Sequence, residues 1–273
     1  MPTYLDKDEL VPLLRREFDA VIDLCGELDG AAWETPTCLP GWTVKDQLSH
    51  LVGTESMLDG VPTPDVDVDH LDHVNNDIGR FNELWVEWLR PTPGREVLAR
   101  FRDIAARRLA ALEEMSQEEF DAPSFTPVGR DETYGRFMRI RLYDCYLHEH
   151  DMREALGVED RPDPQQLHAV LDEMAATLGY VIGRKAAIPS GSTVRIRVSG
   201  TVERDLDYEV GDRAEPVDHI EGEPTVTLLV SDLLLVRLAG GRTDPTDHLG
   251  EGVTFEGDDE LARRLAVNLA HTI

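Results

Sequence analysis

The chain has 273 residues, 41% apolar and 30% charged, long enough to bury a core without disulfides and in the range of globular proteins. Its 54 acidic residues outnumber 27 basic ones, for a formal charge of −27. That balance excludes a general nucleic-acid binder and a protein held on anionic membranes, both of which need a positive surface.

The basic residues are arginines apart from Lys7, Lys45 and Lys185. Cys25, Cys38 and Cys145 have no paired short spacing, so neither a zinc ribbon nor a disulfide framework is expected. The opening MPTYLDKDELVPLL lacks a basic segment followed by an apolar stretch. The longest apolar run, Leu228–Ala239, is broken by Ser231, Asp232 and Arg237, too polar for a bilayer span. The expectation is a soluble, cytoplasmic protein with no membrane or nucleic-acid partner.

Helical periodicity governs the first two thirds. Leu10, Leu13, Leu14, Phe18, Val21, Ile22, Cys25 and Leu28 recur at three and four, predicting a helix over Asp6–Leu28. Thr35–Trp42 reads as a loop by its prolines and glycine. A second helix should start after Thr43, with Asp46 three residues on as a variant capping box, and run through His50 to Leu58. A turn-rich acidic stretch follows. Helices are then expected over Asp69–Leu89 and Gly94–Met115, a crossover loop over Ser116–Glu132, and helices over Tyr134–Leu156, stopped by Gly157, and Pro164–Ala187. Long amphipathic helices in this series predict an up-down bundle over residues 1–189.

After Pro189 the texture changes. Val194–Val198 alternates with period two. Leu206–Val210, Thr225–Val230 and Val253–Glu256 are further expected strands, with helices over Asp232–Ala239 and Asp258–Ala270. This predicts a small α+β domain over residues 190–273.

The segment richest in chemistry is RLYDCYLHEHDMREALG, residues 141–157. Asp144 and His148 are four apart, hence on one helical face, and Asp151 continues the stripe. A carboxylate and an imidazole so placed are able to chelate a divalent ion inside a bundle, with a third ligand from another helix. His50 lies among Leu48, Leu51 and Val52. The same spacing also fits an ordinary charged pair, and His50 a buried polar residue. His150 and Glu149 point elsewhere, as solvated groups or supports. Asp151 is placed to hold an imidazole N–H or to pair with an arginine. Cys145 reads as core. Trp42 is expected to pack under the second helix, and Trp85 and Trp88 share one packing face. No phosphate-binding glycine loop, nucleophile elbow or dinucleotide fingerprint is present.

GWTVKDQLSHLVGTE, then HVNNDIGRFNELWVEWLR, then RLYDCYLHEHDMREALG resemble the mycothiol-dependent maleylpyruvate isomerase family. The tail, from PTVTLLVSDLLLVRLAGGRTDP to VTFEGDDELARRLAVNLAHTI, is similar to that family's second domain. The resemblance implies a DinB-like metal-binding four-helix bundle followed by a sterol-carrier-like α+β domain. It implies His50, Asp144 and His148 as metal ligands. The family's isomerase pattern has glutamate where Asp144 stands, one methylene longer. Glu55 and Asn76 lie within family-like segments, where packing or capping also explains them. Arg242 in GGRTDP resembles an arginine of that family's second domain that meets an anionic substrate, although Gly240-Gly241-Arg242 also reads simply as a turn after a short helix.

Two imidazoles and a carboxylate suit zinc best, nickel and iron also fitting by ligand type, and three protein ligands leave one position open. The resemblance fills it with mycothiol, deprotonated by the metal. The expected function is metal- and mycothiol-dependent isomerisation or conjugation of a small electrophile. The alternatives are a non-catalytic binding protein with a vestigial bundle site, and a metal-dependent hydrolase.

Overall fold

The computed structural model of the chain describes residues 2–72, 74 and 76–271, without the side chain of Arg130. The chain divides into two compact units, one ending at Asp160 and one beginning at Arg161.

The first unit starts with α1, Lys7–Gly26, whose N-terminus is capped by Asp6 accepting from the backbone of Asp8 and Glu9. Its buried stripe of Leu10, Leu14, Phe18, Val21 and Cys25 has the expected spacing. The expected capping box forms at Thr43 and Asp46 and opens α2, Val44–Leu58. Every residue of α2 from Val44 to Ser56 is buried, as befits a helix surrounded by others. It packs against α3 (Asp77–Leu89), α4 (Gly94–Glu114) and α6 (Tyr134–Leu156), while α1 packs against α4 and α6. Gly53 lets α3 approach α2, because a Cβ there would lie 2.4 Å from Cγ of Trp85. α6 stops at Gly157 with φ of 66°, the left-handed cap expected.

Two stretches of this unit depart from expectation. The third helix begins at Asp77, eight residues late, because Asn76 caps it by accepting from Gly79 N–H; residues 73 and 75 of the expected span lie outside the described residues. Ser116–Glu132 is not a plain loop. It holds α5, Gln117–Phe120, with a Ser116/Glu119 capping box, and an antiparallel hairpin of β1, Pro123–Thr126, and β2, Gly129–Thr133.

In the second unit a five-stranded sheet runs in the order β5-β4-β3-β6-β7. Its strands are β3 (Thr193–Ser199), β4 (Arg204–Val210), β5 (Ala214–Val217), β6 (Val226–Ser231) and β7 (Val253–Gly257). β3 and β6 are parallel and the other neighbours antiparallel. Helices α8, Asp232–Ala239, and α9, Asp259–Ala266, complete it together with α7, Pro164–Tyr180, whose end continues as a π-helical turn over Val181–Lys185. The expected division near residue 190 is therefore displaced to 160/161. α7 packs on β5 and α8, Tyr208 donates its hydroxyl to the Ala175 carbonyl at 2.8 Å, and Arg204 pairs with Asp172. These contacts tie α7 to the sheet. Among the described residues no helix is long and apolar enough to cross a membrane.

Candidate metal centre

Two almost wholly buried helices build the centre. α2 contributes Gln47 and His50, three apart and thus on one face, and α6 contributes Arg141, Asp144 and His148 with the same logic. The spacing on α6 alone also fits an ordinary charged pair. The structure keeps Asp144 and His148 side by side and adds His50, which crosses from α2 to the same carboxylate. His50 Nε2 lies 3.0 Å from Asp144 Oδ2 and His148 Nε2 lies 3.5 Å from Asp144 Oδ1. One ligand atom from each of the three residues falls within 4.8 Å of the others. Two donors sharing a tetrahedral ion at about 2.1 Å would stand roughly 3.4 Å apart; each imidazole lies near that distance from a carboxylate oxygen, His50 from Oδ2 and His148 from Oδ1.

The protonation states fit as well. Burial pushes the His50 imidazole down to about 4, against the pull of Asp144, so at neutral pH the ring is uncharged; its Nε2–H donates to the Asp144 carboxylate, a proton that an incoming cation would have to displace. Burial alone would raise the Asp144 carboxyl; Arg141 beside it, then His50 and His148, outweigh that and hold it well below the usual carboxylate range. Its side chain keeps 30% exposure while the two imidazoles keep 5% and 6%, so the centre opens on the carboxylate side. An ionised carboxylate and a neutral imidazole form the donor set that a divalent transition metal takes.

A buried charge chain supports the carboxylate. Arg141 pairs with Asp144 and donates from Nε to Glu55 Oε1 at 2.9 Å. Glu55 Oε2 accepts from Arg108 Nε at 3.2 Å, and Arg108 reaches the Tyr134 hydroxyl at 2.7 Å. Two guanidinium groups thus balance two carboxylates, which makes their burial tolerable. Trp42 does more than pack beneath α2. Its ring stacks on His148 at 5.9 Å and 27°, lies 5.5 Å from His50, and its Nε1–H donates to buried Glu83 at 2.7 Å.

A family model described as the mycothiol maleylpyruvate isomerase N-terminal domain matches residues 14–153, more than half of the chain and all three converging residues. The chain belongs to the mycothiol maleylpyruvate isomerase family. A crystal structure of the mycothiol-dependent maleylpyruvate isomerase shares the fold, with a TM-score of 0.58, 16% identity, and coverage of 92% of this chain and 93% of that one. The same enzyme with a histidine replaced by alanine gives a TM-score of 0.55 and 17% identity over the same shares. No curated protein matches the chain.

Within this member of the mycothiol maleylpyruvate isomerase family, the other residues singled out by sequence lie outside the converging trio, some beside it and some far along the chain. Arg242 lies in the second unit, after α8, with Nη1 donating to the Gly240 carbonyl at 2.7 Å. Asn76 is the cap of α3. Cys145 is buried, its Sγ 3.4 Å from Arg141 Nη2. Asp151 stands 3.7 Å from His148 Nδ1 and accepts from the Cys38 thiol at 3.2 Å. His150 and Glu149 are not solvated: both are buried, His150 bonding Asp160 at 2.7 Å and Glu149 pairing with Arg153. Sequence reading passed over Gln47, Arg141 and Arg108. For the first two a signal existed, since each precedes a ligand by three residues on its own helix.

Proposed function

We propose that the chain is a metal-dependent enzyme that uses mycothiol to isomerise or conjugate a small electrophile in the cytoplasm. The observation that carries this reading is the convergence of His50, Asp144 and His148 in the domain matched by the family model. The likeness to solved structures of a mycothiol-dependent maleylpyruvate isomerase supports it. The three residues would hold the ion, zinc by ligand type. A bound divalent cation would supply Lewis acidity that makes a coordinated thiol acidic enough to serve as a nucleophile at neutral pH.

The chain's own residues prepare the rest. Arg141 keeps Asp144 ionised and fixes one of its oxygens, leaving the other toward His148. Glu55 and Arg108 hold Arg141 in place. Trp42 walls the two imidazoles with an apolar face, which keeps water from competing for them. The resemblance of GGRTDP to the family's second domain supports a role for Arg242 toward an anionic group of a substrate. Addition of the thiol to an activated double bond and its later loss would give cis–trans isomerisation; displacement of a leaving group would give conjugation.

Metal content per chain by plasma mass spectrometry, for the tag-free wild type beside His148→Ala, tests the reading. About one ion per wild-type chain is expected, lost in the variant. Turnover of electrophiles should require mycothiol. Activity that persists without the thiol would instead indicate a hydrolase, and no ion in either protein after reconstitution would leave a binding protein.

A further inference from the structure

Gln47 is fully buried on α2, and its two amide atoms face different partners. Its Nε2 donates to Thr37 Oγ1 at 2.9 Å, and its Oε1 meets His148 Nδ1. The orientation of the amide is not arbitrary. Thr37 has one hydroxyl proton, and that proton goes to the Trp42 carbonyl at 3.0 Å. Toward its other neighbours Thr37 Oγ1 accepts, from Leu39 N–H at 3.3 Å and from Gln47. The Gln47 atom facing Thr37 must therefore be the nitrogen, and the atom facing His148 the carbonyl oxygen, which only accepts. His148 Nδ1 must then carry the proton, and in the neutral ring Nε2 is bare.

The competing arrangement is visible too. Asp144 Oδ1 stands 3.5 Å from His148 Nε2 and would draw the ring proton to that nitrogen if nothing claimed it at Nδ1. A protonated Nε2 binds no metal.

We propose that Gln47, oriented by Thr37, is a positioning residue that holds His148 as the Nδ1–H tautomer and keeps Nε2 open as a ligand. The ligand half of this statement rests on the function proposed above; the tautomer half does not. Asp151 Oδ2, 3.7 Å from the same Nδ1, adds negative charge on that side without reaching hydrogen-bond distance.

Two measurements on the full-length chain test it. Long-range ¹⁵N–¹H NMR of the His148 ring in metal-free protein, at about pH 8 where an ordinary imidazole is neutral, should show a protonated Nδ1 and a bare Nε2. Gln47→Leu should move the proton to Nε2, Gln47→Glu should restore the wild-type pattern, and Thr37→Val should give a mixture because the amide is free to flip. Competition with a chromophoric chelator for Zn²⁺ should show affinity lower by roughly 10- to 100-fold in Gln47→Leu, recovered in Gln47→Glu. An unchanged tautomer in Gln47→Leu, or in Thr37→Val should the first variant fail to fold, overturns the assignment. A wild type that binds no Zn²⁺ but shows the tautomer shift would sink the metal reading and leave the role of Gln47 standing.

Discussion

The two units use the same ion-pair chemistry in opposite surroundings. In the bundle, Arg141, Glu55 and Arg108 form a chain whose side chains are 4%, 0% and 4% exposed. On the sheet, Arg197 pairs with Asp205 across β3 and β4 with 44% and 36% exposure. The exposed pair sits in water that screens it and stabilises by little. The buried chain has no such substitute, so each member is committed to its partners. A committed guanidinium is able to aim a carboxylate; a solvated one only decorates a strand. Arg195 lies between these extremes: it forks onto buried Asp207 at 2.7 and 2.6 Å, and that carboxylate also accepts from Ile220 N–H.

The contrast breaks most visibly at Glu55. Glu55→Gln leaves buried Arg108 without a carboxylate and Arg141 with Asp144 alone, and should cost about 3–5 kcal/mol, read as a lowered midpoint in urea unfolding. A cost below about 1 kcal/mol would mean that water reaches the chain. The next effect is a pH dependence. The His50 imidazole is held at about 4 by burial, while in the unfolded chain it titrates near its ordinary ~6.5. The unfolded state therefore takes up a proton first. Stability is full above about pH 6.5 and falls as the pH drops toward 4, by about 2–3 kcal/mol. His50→Gln should remove that part of the slope, and unfolding curves at several pH values in that window would show it. The smallest effect belongs to the sheet: Arg197→Ala should change stability by no more than about 0.5 kcal/mol, less still in high salt. A larger loss would erase the distinction between the two surroundings.

Much of the bundle was legible because its signals are local. Thr43 with Asp46, Gly157 after Leu156, and the three-and-four stripe of α1 each declare an element within a few residues. The hairpin was not legible: β2 is GRDET, polar throughout, with no alternation to mark a strand. The late start of α3 hinges on Asn76, a cap that competes with acidic residues upstream equally compatible with a helix. The unit boundary was hidden for a different reason. α7 has an ordinary amphipathic pattern, and nothing in that pattern says whether its partner is a helix or a sheet; Tyr208 and Arg204, which fix the answer, lie some thirty residues downstream. At the centre, the Asp144/His148 spacing announced one half. His50 carried only its apolar neighbours as a hint, since the crossing of α2 and α6 is a tertiary fact. Gln47 and Arg141 matter through what they touch, and their one sequence signal, a place three residues before a ligand, has meaning only once that ligand is known.

The glycine on α2 reaches further than its size suggests. By leaving room for Trp85, Gly53 sets how near α3 comes, and α3 carries Glu83, the acceptor that fixes the Trp42 indole over the imidazoles. Absence of a single methyl group thus acts as a ruler for the roof of the centre. Variation at position 53 would be felt by His50 and His148 without touching either, which makes this spot a remote steric control on a site otherwise governed by charge.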